Sequence, residues 1–162
     1  MEITIREHQE GDTETLCVIA QRAWEPIYAF FAETLGPELC AALYADWRQQ
    51  KAGQVRRACQ RDDPATVFVA ESAGVAVGFV TVYADSRTGV GEIGNNAIDP
   101  PYQGQGIAQE LYSRAMQYRR DAGMRFVRVS TGGDPAHAPA RRAYARAGFD
   151  RAIPGVTLYR AL

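Results

Sequence analysis

The chain has 162 residues, of which 46% are apolar and 23% are charged, and its formal net charge is −1. These values are typical of one globular domain with a substantial hydrophobic core. The near-neutral charge argues against a nucleic-acid or anionic-membrane partner, because no global field attracts either. No apolar run approaches the roughly 20 residues of a membrane span. We therefore expect a single domain over residues 1–162.

The cysteines and the N-terminus predict a cytoplasmic location. Cys17, Cys40 and Cys59 are odd in number and show neither a CxxC pair nor any metal-ligand spacing. Such cysteines are typical of reduced, partly buried thiols, and we expect no bound metal. The first residues carry charges where a signal peptide has its apolar core.

The N-terminal third predicts a short strand and two helical regions. Ile3 and Ile5 alternate with polar residues, as in a half-buried strand. An N-cap at Gly11-Asp12-Thr13 and an apolar stripe predict the first helix, which we expect Pro26 to interrupt. A cluster of aromatic residues follows at Trp24, Tyr28, Phe30 and Phe31. The second helical region is predicted from Glu38 to about Arg61.

The remaining two thirds alternate between strand-like and helix-like segments. Strands are predicted at 66–72, 75–83, 90–98 and 126–130, with a last strand near 156–159. Helices are predicted from Ile107 to about Ala122 and from Ala138 to Ala147. The order is β-α-α-β-β-β-α-β-α-β. The strand–helix–strand unit at 90–130 implies two parallel strands joined by a right-handed crossover.

A glycine-containing loop joins the strand at 90–98 to the helix that follows. Glycines allow a ligand to approach the backbone closely, and a helix N-terminus attracts phosphate oxygens. A dinucleotide fingerprint requires a third glycine where Gln109 stands, and a Walker loop requires a Gly-Lys-Ser/Thr run that is absent. Both nucleotide motifs therefore fail, and a glycine turn of an unrelated α/β fold is the plain alternative.

This loop resembles the signature Gln/Arg-x-x-Gly-x-Gly/Ala of the Gcn5-related N-acetyltransferase (GNAT) family. Gln103, Gly106 and Ala108 occupy its specified positions. The family also carries a polar residue, often Asn, seven positions before a Tyr, with Gly-Phe closing the helix. His137, Tyr144 and Gly148-Phe149 stand at those places.

The resemblance implies the GNAT fold, a mixed α/β sheet whose central strands splay apart to admit acetyl-CoA as the cosubstrate. It places the pyrophosphate on the amides of the loop and pairs the pantetheine arm with the strand edge like an added strand. His137 replaces the commoner Asn as a donor to a pantetheine carbonyl, and a histidine there can also titrate near neutral pH. The residues thereby assigned to acetyl-CoA are Ala97, Ile98, Gln103, Gly104, Gln105, Gly106, Ile107, Ala108 and His137.

Acyl transfer to an amine needs a base and an acid. An alkylammonium has a pKa of about 10, so a proton must leave before attack. Glu92 lies eleven residues before Gln103, the offset at which histone-type members place their catalytic glutamate. The thiol of the leaving group has a pKa of about 8.5, and Tyr144 matches the acid of the family. The alternatives are a surface glutamate and a core tyrosine.

The residues that bind the acceptor are the ones that the sequence specifies least. In this family the N-terminal helices cover the acceptor, which assigns Trp24, Tyr28 and Phe31 to it, although aromatic residues are more often core. Asn95 and Asn96 lie on opposite faces of one strand, and Asn96 is our candidate for the cleft.

We expect an N-acetyltransferase that acts by direct attack of a small-molecule or peptide amine in a ternary complex. A non-catalytic acyl-CoA-binding sensor and a nucleotide-binding module unrelated to CoA remain as alternatives. A homodimer is compatible with the sequence.

Overall fold

The computed structural model describes residues 2–162, and its centre is a five-stranded sheet in the order β1-β2-β3-β4-β5. Neighbouring strands are antiparallel except for β4 and β5, which are parallel. The mixed sheet and the parallel pair confirm the predicted α/β class. The strands are β1 (Thr4–Glu7), β2 (Thr66–Ser72), β3 (Val75–Asp85), β4 (Val90–Ile98) and β5 (Phe126–Val129).

Five α-helices pack on the two faces of this sheet. Three precede β2, one lies between β4 and β5, and one follows β5; α1 and α3 cover one face, and α4 and α5 cover the other. The helices are α1 (Thr13–Leu35), α2 (Pro37–Tyr44), α3 (Trp47–Ala58), α4 (Ile107–Asp121) and α5 (Ala138–Arg146).

The N-terminal helices differ from the prediction in two places. Pro26 does not end the first helix, which continues to Leu35. Proline removes one helical hydrogen bond, but aromatic packing after it holds the helix together: Tyr28 stacks on Trp47 at 4.1 Å between ring centroids. The predicted second helix is divided into α2 and α3 by a turn at Ala45 and Asp46.

Each face of the sheet has its own apolar cluster. Leu16, Ile19 and Val55 pack under α1 and α3, whereas Phe68, Ile93 and Leu111 pack under α4 and α5. All six side chains are at most 2% exposed. Full burial of such a side chain contributes roughly 1.5–3 kcal/mol, so the two clusters hold the helices at fixed positions over the sheet.

The strands β4 and β5 pair over only part of their length. Residues Val90–Ile93 pair with Phe126–Val129, and the register ends there. After an irregularity at residues 94 and 95, residues 96–98 of β4 continue to pair with β3 but have no strand beside them on the other side. The predicted splay between these two strands is therefore present, and it exposes one edge of β4.

The predicted strand near 156–159 is wrong. From Phe149 onward the chain forms neither helix nor strand, and Val156 and Leu158 are each 88% exposed. Alternating apolar residues form a strand only where an edge accepts them, and this segment is not hydrogen-bonded to the free edge of β5.

The thiols of Cys17, Cys40 and Cys59 are free, and Cys17 is buried. Within the described part of the chain, no helix combines the length and apolarity needed to cross a membrane.

Candidate active site

The loop before α4 depends on two glycines in the left-handed region. Gly104 has a φ of 76° and Gly106, which precedes the first residue of α4, has a φ of 86°. A residue with a Cβ is strained in this region by roughly 1–2 kcal/mol, so the sequence uses glycine at both turns. The loop consequently brings its backbone to the N-terminal end of α4 without side chains in front of it.

Five consecutive main-chain N–H groups in this loop lack an acceptor. Among residues 2–162, no hydrogen bond is donated by the amides of 104–108, whereas the next amide, that of Gln109, bonds to the Gly106 carbonyl. A Cβ placed on Gly104 or Gly106 would meet no heavy atom within 4 Å, so the space in front of these amides is open. Free amides and the positive end of the α4 dipole fit a phosphate-containing group.

The free edge of β4 lies directly before this loop. The Asp99 amide donates to the Val77 carbonyl of β3. Along an antiparallel strand, the main-chain groups of successive residues point alternately to one neighbouring side and the other. The main-chain groups of Asn96 and Ile98 therefore face the open edge, whereas those of Ala97 face β3. The Gln103 side chain donates to the Ile98 carbonyl at 3.0 Å and so connects the loop to the strand.

Asn96 lies at the centre of a polar cluster on the α4 and α5 face. Its Nδ2 donates to the Tyr144 hydroxyl oxygen and to the Gly94 carbonyl, each at 3.0 Å. Its Oδ1 accepts a hydrogen bond of 2.7 Å from the Tyr112 hydroxyl. The structure thus brings two predicted site residues, Asn96 and Tyr144, into contact, and adds Tyr112.

The hydroxyl of Tyr144 keeps its proton available. Burial raises its pKa, so it is protonated at neutral pH. Its oxygen accepts from Asn96, and the only acceptor that the described residues offer to its proton is Asn96 Oδ1, at 3.4 Å. Since Tyr112 already occupies Oδ1 at the shorter distance, Tyr144 retains the capacity to donate to another group.

Glu92 lies on the opposite face of the sheet from Tyr144, because it alternates with Ile93, which packs under α4. Its Oε2 accepts two hydrogen bonds from the Arg128 guanidinium of β5, which leaves Oε1 free. The pair borders a cleft of about 650 Å³ that also contains Tyr83, Asp85 and Arg87.

His137 lies in a turn between β5 and α5 and is paired with a carboxylate. Its Nδ1 lies 2.6 Å from Asp134 Oδ2, and its main-chain amide donates to Asp134 Oδ1 at 3.1 Å. Burial raises the pKa of the Asp134 carboxyl, but the hydrogen bonds and charge of His137 outweigh burial, and the pKa lies below its ordinary value. The ring centroid of His137 is 6.3 Å from that of Phe31 on α1.

The predicted acceptor residues on α1 pack mainly against the protein itself. Tyr28 and Phe31 form an aromatic cluster with Tyr44 and Trp47. The face of Trp24 is covered by the ammonium of Lys51, which lies 4.3 Å from the ring centroid.

Lys51 is buried between α3 and β4 and is the single lysine of the chain. Its ammonium donates to Gln54 Oε1 at 2.9 Å and to Asn95 Oδ1 at 3.1 Å, and burial lowers its pKa to about 8. Asn95, rather than the predicted Asn96, therefore faces the N-terminal helices.

Several residues of this region carry no local sequence signal. Tyr112, Lys51 and Arg128 lie in ordinary helical or strand patterns, and only the fold brings them to Asn96, Asn95 and Glu92. Asp134 had a weak signal, because an Asp directly before a Pro is a common N-cap, and it caps the 3-10 turn Pro135–His137. Among residues 2–162, no three His, Cys, Asp or Glu side chains are grouped as metal ligands.

Comparisons with known proteins agree with this geometry. The sequence profile of the Acetyltransferase (GNAT) family matches residues 23–149. The PaiA N-acetyltransferase from Thermoplasma acidophilum, solved with coenzyme A, superposes with a TM-score of 0.70 at 18% identity, covering 93% of this chain and 91% of that one. A search of curated proteins found no significant match.

Two further solved structures have similar folds. The acetyltransferase AAC(6')-Iy, in complex with the bisubstrate analogue CoA-S-monomethyl-acetylneamine, gives a TM-score of 0.66 at 16% identity with all of both chains covered. The ribosomal-protein-S18-alanine N-acetyltransferase from Escherichia coli gives 0.64 at 18% identity, covering 94% of this chain and 80% of that one. At such identities these likenesses establish the fold.

Proposed function

Because this chain belongs to the Acetyltransferase (GNAT) family and is an acyl-CoA-dependent N-acetyltransferase, we propose that it moves an acetyl group from acetyl-CoA to a primary amine. The acceptor attacks directly in a ternary complex. No covalent acyl-enzyme is needed, because no family motif places a cysteine at the site.

The observation that carries this proposal is the row of free amides at 104–108 beside the open edge of β4. The amides bind the pyrophosphate of the cosubstrate, and the left-handed glycines keep that space clear. The main-chain groups of Asn96 and the amide of Ile98 pair with the pantetheine arm as with an added strand, whereas the Ile98 carbonyl is bonded to the Gln103 side chain. The thioester is thereby directed into the gap between β4 and β5.

Two side chains handle protons and charge in this proposal. Glu92 Oε1 receives the acceptor ammonium, which makes Glu92 the first candidate for the base, either directly or through a water. Tyr144 donates its proton to the sulfur as the thiolate leaves. Asn96 holds the Tyr144 oxygen in place while leaving the proton free.

The acceptor is a small-molecule amine or a peptide N-terminus. The similar structures include one solved with an acetylneamine analogue and one whose substrate is a ribosomal-protein alanine. Tyr28 and Phe31 border the site on the α1 side and offer apolar contact to such an acceptor.

A screen for turnover tests this function. The purified chain is incubated with acetyl-CoA and panels of polyamines, amino acids, aminoglycosides and peptides, and free CoA is detected with a thiol reagent. We expect CoA release that depends on one class of amine. Tight acetyl-CoA binding without release for any amine would favour the acyl-CoA sensor, and competition by ATP or NAD would favour a nucleotide-binding module.

A further inference from the structure

The turn between β5 and α5 holds the ring of His137 rigidly. The two carboxylate oxygens of Asp134 are both hydrogen-bonded to His137: Oδ1 accepts from its main-chain amide, and Oδ2 pairs with its ring Nδ1. Arg141 fastens the same turn from α5, because its Nη1 donates to the carbonyls of Gly132 and Asp134 at 2.6 and 2.7 Å. Asp134 thus holds the ring directly, and Arg141 holds the main chain of the turn that carries it.

Gly132 shows that the turn is shaped around this pair. A Cβ on Gly132 would overlap both His137 Nδ1 and Asp134 Oδ2. The φ of Gly132 does not lie in the left-handed region, so the glycine is required here by space and not by conformation. The Asp134–His137 pair can therefore form in this position only because residue 132 has no side chain.

The pairing determines which ring nitrogen carries the proton. An ionised carboxylate only accepts hydrogen bonds, so the neutral ring holds its proton on Nδ1. Nε2 then has a free lone pair and accepts a proton instead of donating one. Nε2 has no hydrogen-bond partner among residues 2–162, and 17% of the His137 side chain is exposed.

The position of the ring connects the two halves of the site. Its side chain contacts Phe31, which borders the acceptor, while its turn follows β5, which flanks the thioester gap. Glu92, in contrast, has one carboxylate oxygen occupied by Arg128. An open lone pair at the junction of acceptor and donor is suited to removing the proton of an attacking amine.

We propose that His137 Nε2, in place of Glu92, is the proton acceptor for the amine, that Glu92 only attracts the ammonium by its charge, and that Asp134 is the residue that positions His137; this inference rests on the proposed acetyltransferase function. The ammonium gives one proton to Nε2, and the nitrogen lone pair then forms the C–N bond to the thioester carbonyl carbon. The C–S bond breaks, its electron pair leaves with sulfur, and Tyr144 supplies the proton that makes the thiol. Formation of the C–N bond makes the nitrogen acidic, and it gives its second proton through water to the Tyr144 oxygen, which restores the neutral hydroxyl; the imidazolium returns the first proton to solvent.

The charged groups around the ring are consistent with this role. Asp134 faces Nδ1 from the turn, and Arg141 faces the carbonyls behind the turn from α5. From α1 the ring meets the uncharged Phe31. The negative partner stabilises the imidazolium that forms during the reaction.

The kinetic test compares three variants with wild type. His137→Asn introduces the residue that is commoner at this position in the family and removes the base. We expect kcat/KM for the amine to fall about 100-fold, in the usual range for a general base, with KM for acetyl-CoA changed less than threefold. The deficit should narrow as pH rises toward the amine pKa of about 10, because the free amine needs no base. Asp134→Asn should lower kcat about tenfold, and His8→Gln should match wild type.

A second readout needs no turnover. The chain has two histidines, so ring ¹⁵N spectra of the free protein contain two imidazoles, and His8→Gln identifies the signals of His137. We expect the Nδ1–H tautomer for His137 in wild type and a mixture of tautomers in Asp134→Asn. Observation of the Nε2–H tautomer in wild type would overturn the proposal.

The results of these experiments distinguish a failure of the acetyltransferase function from a failure of the base role of His137. Wild type that binds acetyl-CoA but turns over no amine contradicts the acetyltransferase function and the base role together. Wild-type turnover that His137→Asn retains at every pH contradicts the base role alone. An equal loss of acetyl-CoA binding in His137→Asn would identify a cosubstrate contact instead of a base.

Discussion

The amide nitrogen of Asn96 donates a 3.0 Å hydrogen bond to the hydroxyl oxygen of Tyr144, and this bond joins β4 to α5 across the gap where β4 leaves β5. A second tyrosine, Tyr112, donates to the other atom of the same amide. One asparagine therefore orients two hydroxyls from two helices. The Tyr112 hydroxyl donates to Asn96 Oδ1 at 2.7 Å, whereas the Tyr144 hydroxyl lies 3.4 Å from the same oxygen. This difference distinguishes Tyr144, the proposed acid, from Tyr112.

Replacing Tyr144 by Phe removes this proton while keeping the ring. We expect kcat to fall about 100-fold, within the range for a general acid, while the Kd of acetyl-CoA changes less than threefold. Steady-state kinetics and calorimetric titration of acetyl-CoA measure the two quantities. Tyr112→Phe is the matched control, because it removes a hydroxyl from the same Asn96 amide, and it should retain most of kcat. Unchanged kcat in Tyr144→Phe would remove Tyr144 from the acid role.

Gly106→Ala separates backbone strain from ligand contact. Gly106 and Gly123 have φ values of 86° and 80°, and a Cβ on either meets no atom within 4 Å. Alanine at each position should lower the free energy of unfolding by about 1 kcal/mol. Only Gly106→Ala should also weaken acetyl-CoA binding, by about tenfold, and Gly106→Arg should abolish it. Equal affinities in the two alanine variants would refute the pyrophosphate loop.

The buried Lys51 predicts an alkaline rise in stability. Its pKa is about 8 in the folded chain and 10.5 when unperturbed, so the unfolded state binds more protons between these values. The free energy of unfolding should therefore increase as the pH rises from 8 to about 10.5. Below pH 8 the buried ammonium is charged in the folded chain, and its full destabilising effect is present. Lys51→Met should remove this contribution and raise stability at pH 7 by roughly 1–2 kcal/mol, a value discounted for solvent screening.

Denaturant unfolding at pH 7, 9 and 10 measures the difference between the two chains. Because Lys51 is the single lysine, its side-chain NMR signal titrates without overlap from others. A titration midpoint near 10.5 would show that the ammonium is solvated instead of buried.

Arg128→Gln tests whether Glu92 binds the acceptor. The pair is exposed, with 70% of the Arg128 and 35% of the Glu92 side chain accessible, so its loss should change the free energy of unfolding by less than about 1 kcal/mol. Removing the guanidinium leaves a free carboxylate, which should lower KM for the amine two- to fivefold. Arg87→Gln is the control, because Arg87 borders the same cleft but lies near Asp85 at 3.6 Å. An unchanged KM in Arg128→Gln would place the ammonium elsewhere.

Local patterns in the sequence determined most of the secondary structure and the cosubstrate loop. The strands at 66–72 and 90–98 and the start of α4 at Ile107 agree with the structure, and the strand predicted at 126–130 ends one residue earlier, at Val129. Alternation and helical periodicity are properties of neighbouring residues, so such elements can be predicted locally. The loop could be read in the same way, since glycines before a helix suffice to indicate an anion site. The predictions failed at Pro26 and at 156–159, where packing against distant residues, or its absence, decides the outcome.

Only the tertiary structure decided how the side chains are partnered. Asn96 and Tyr144 are 48 residues apart in the chain, and Lys51 and Asn95 are 44 apart. No periodicity connects such positions, because their hydrogen bonds exist only once the helices have packed on the two faces of the sheet. The sequence by itself thus predicted the loop at which we expect the donor to bind, whereas the fold determined the partners of Asn96, Lys51 and Glu92, since these are set by long-range packing.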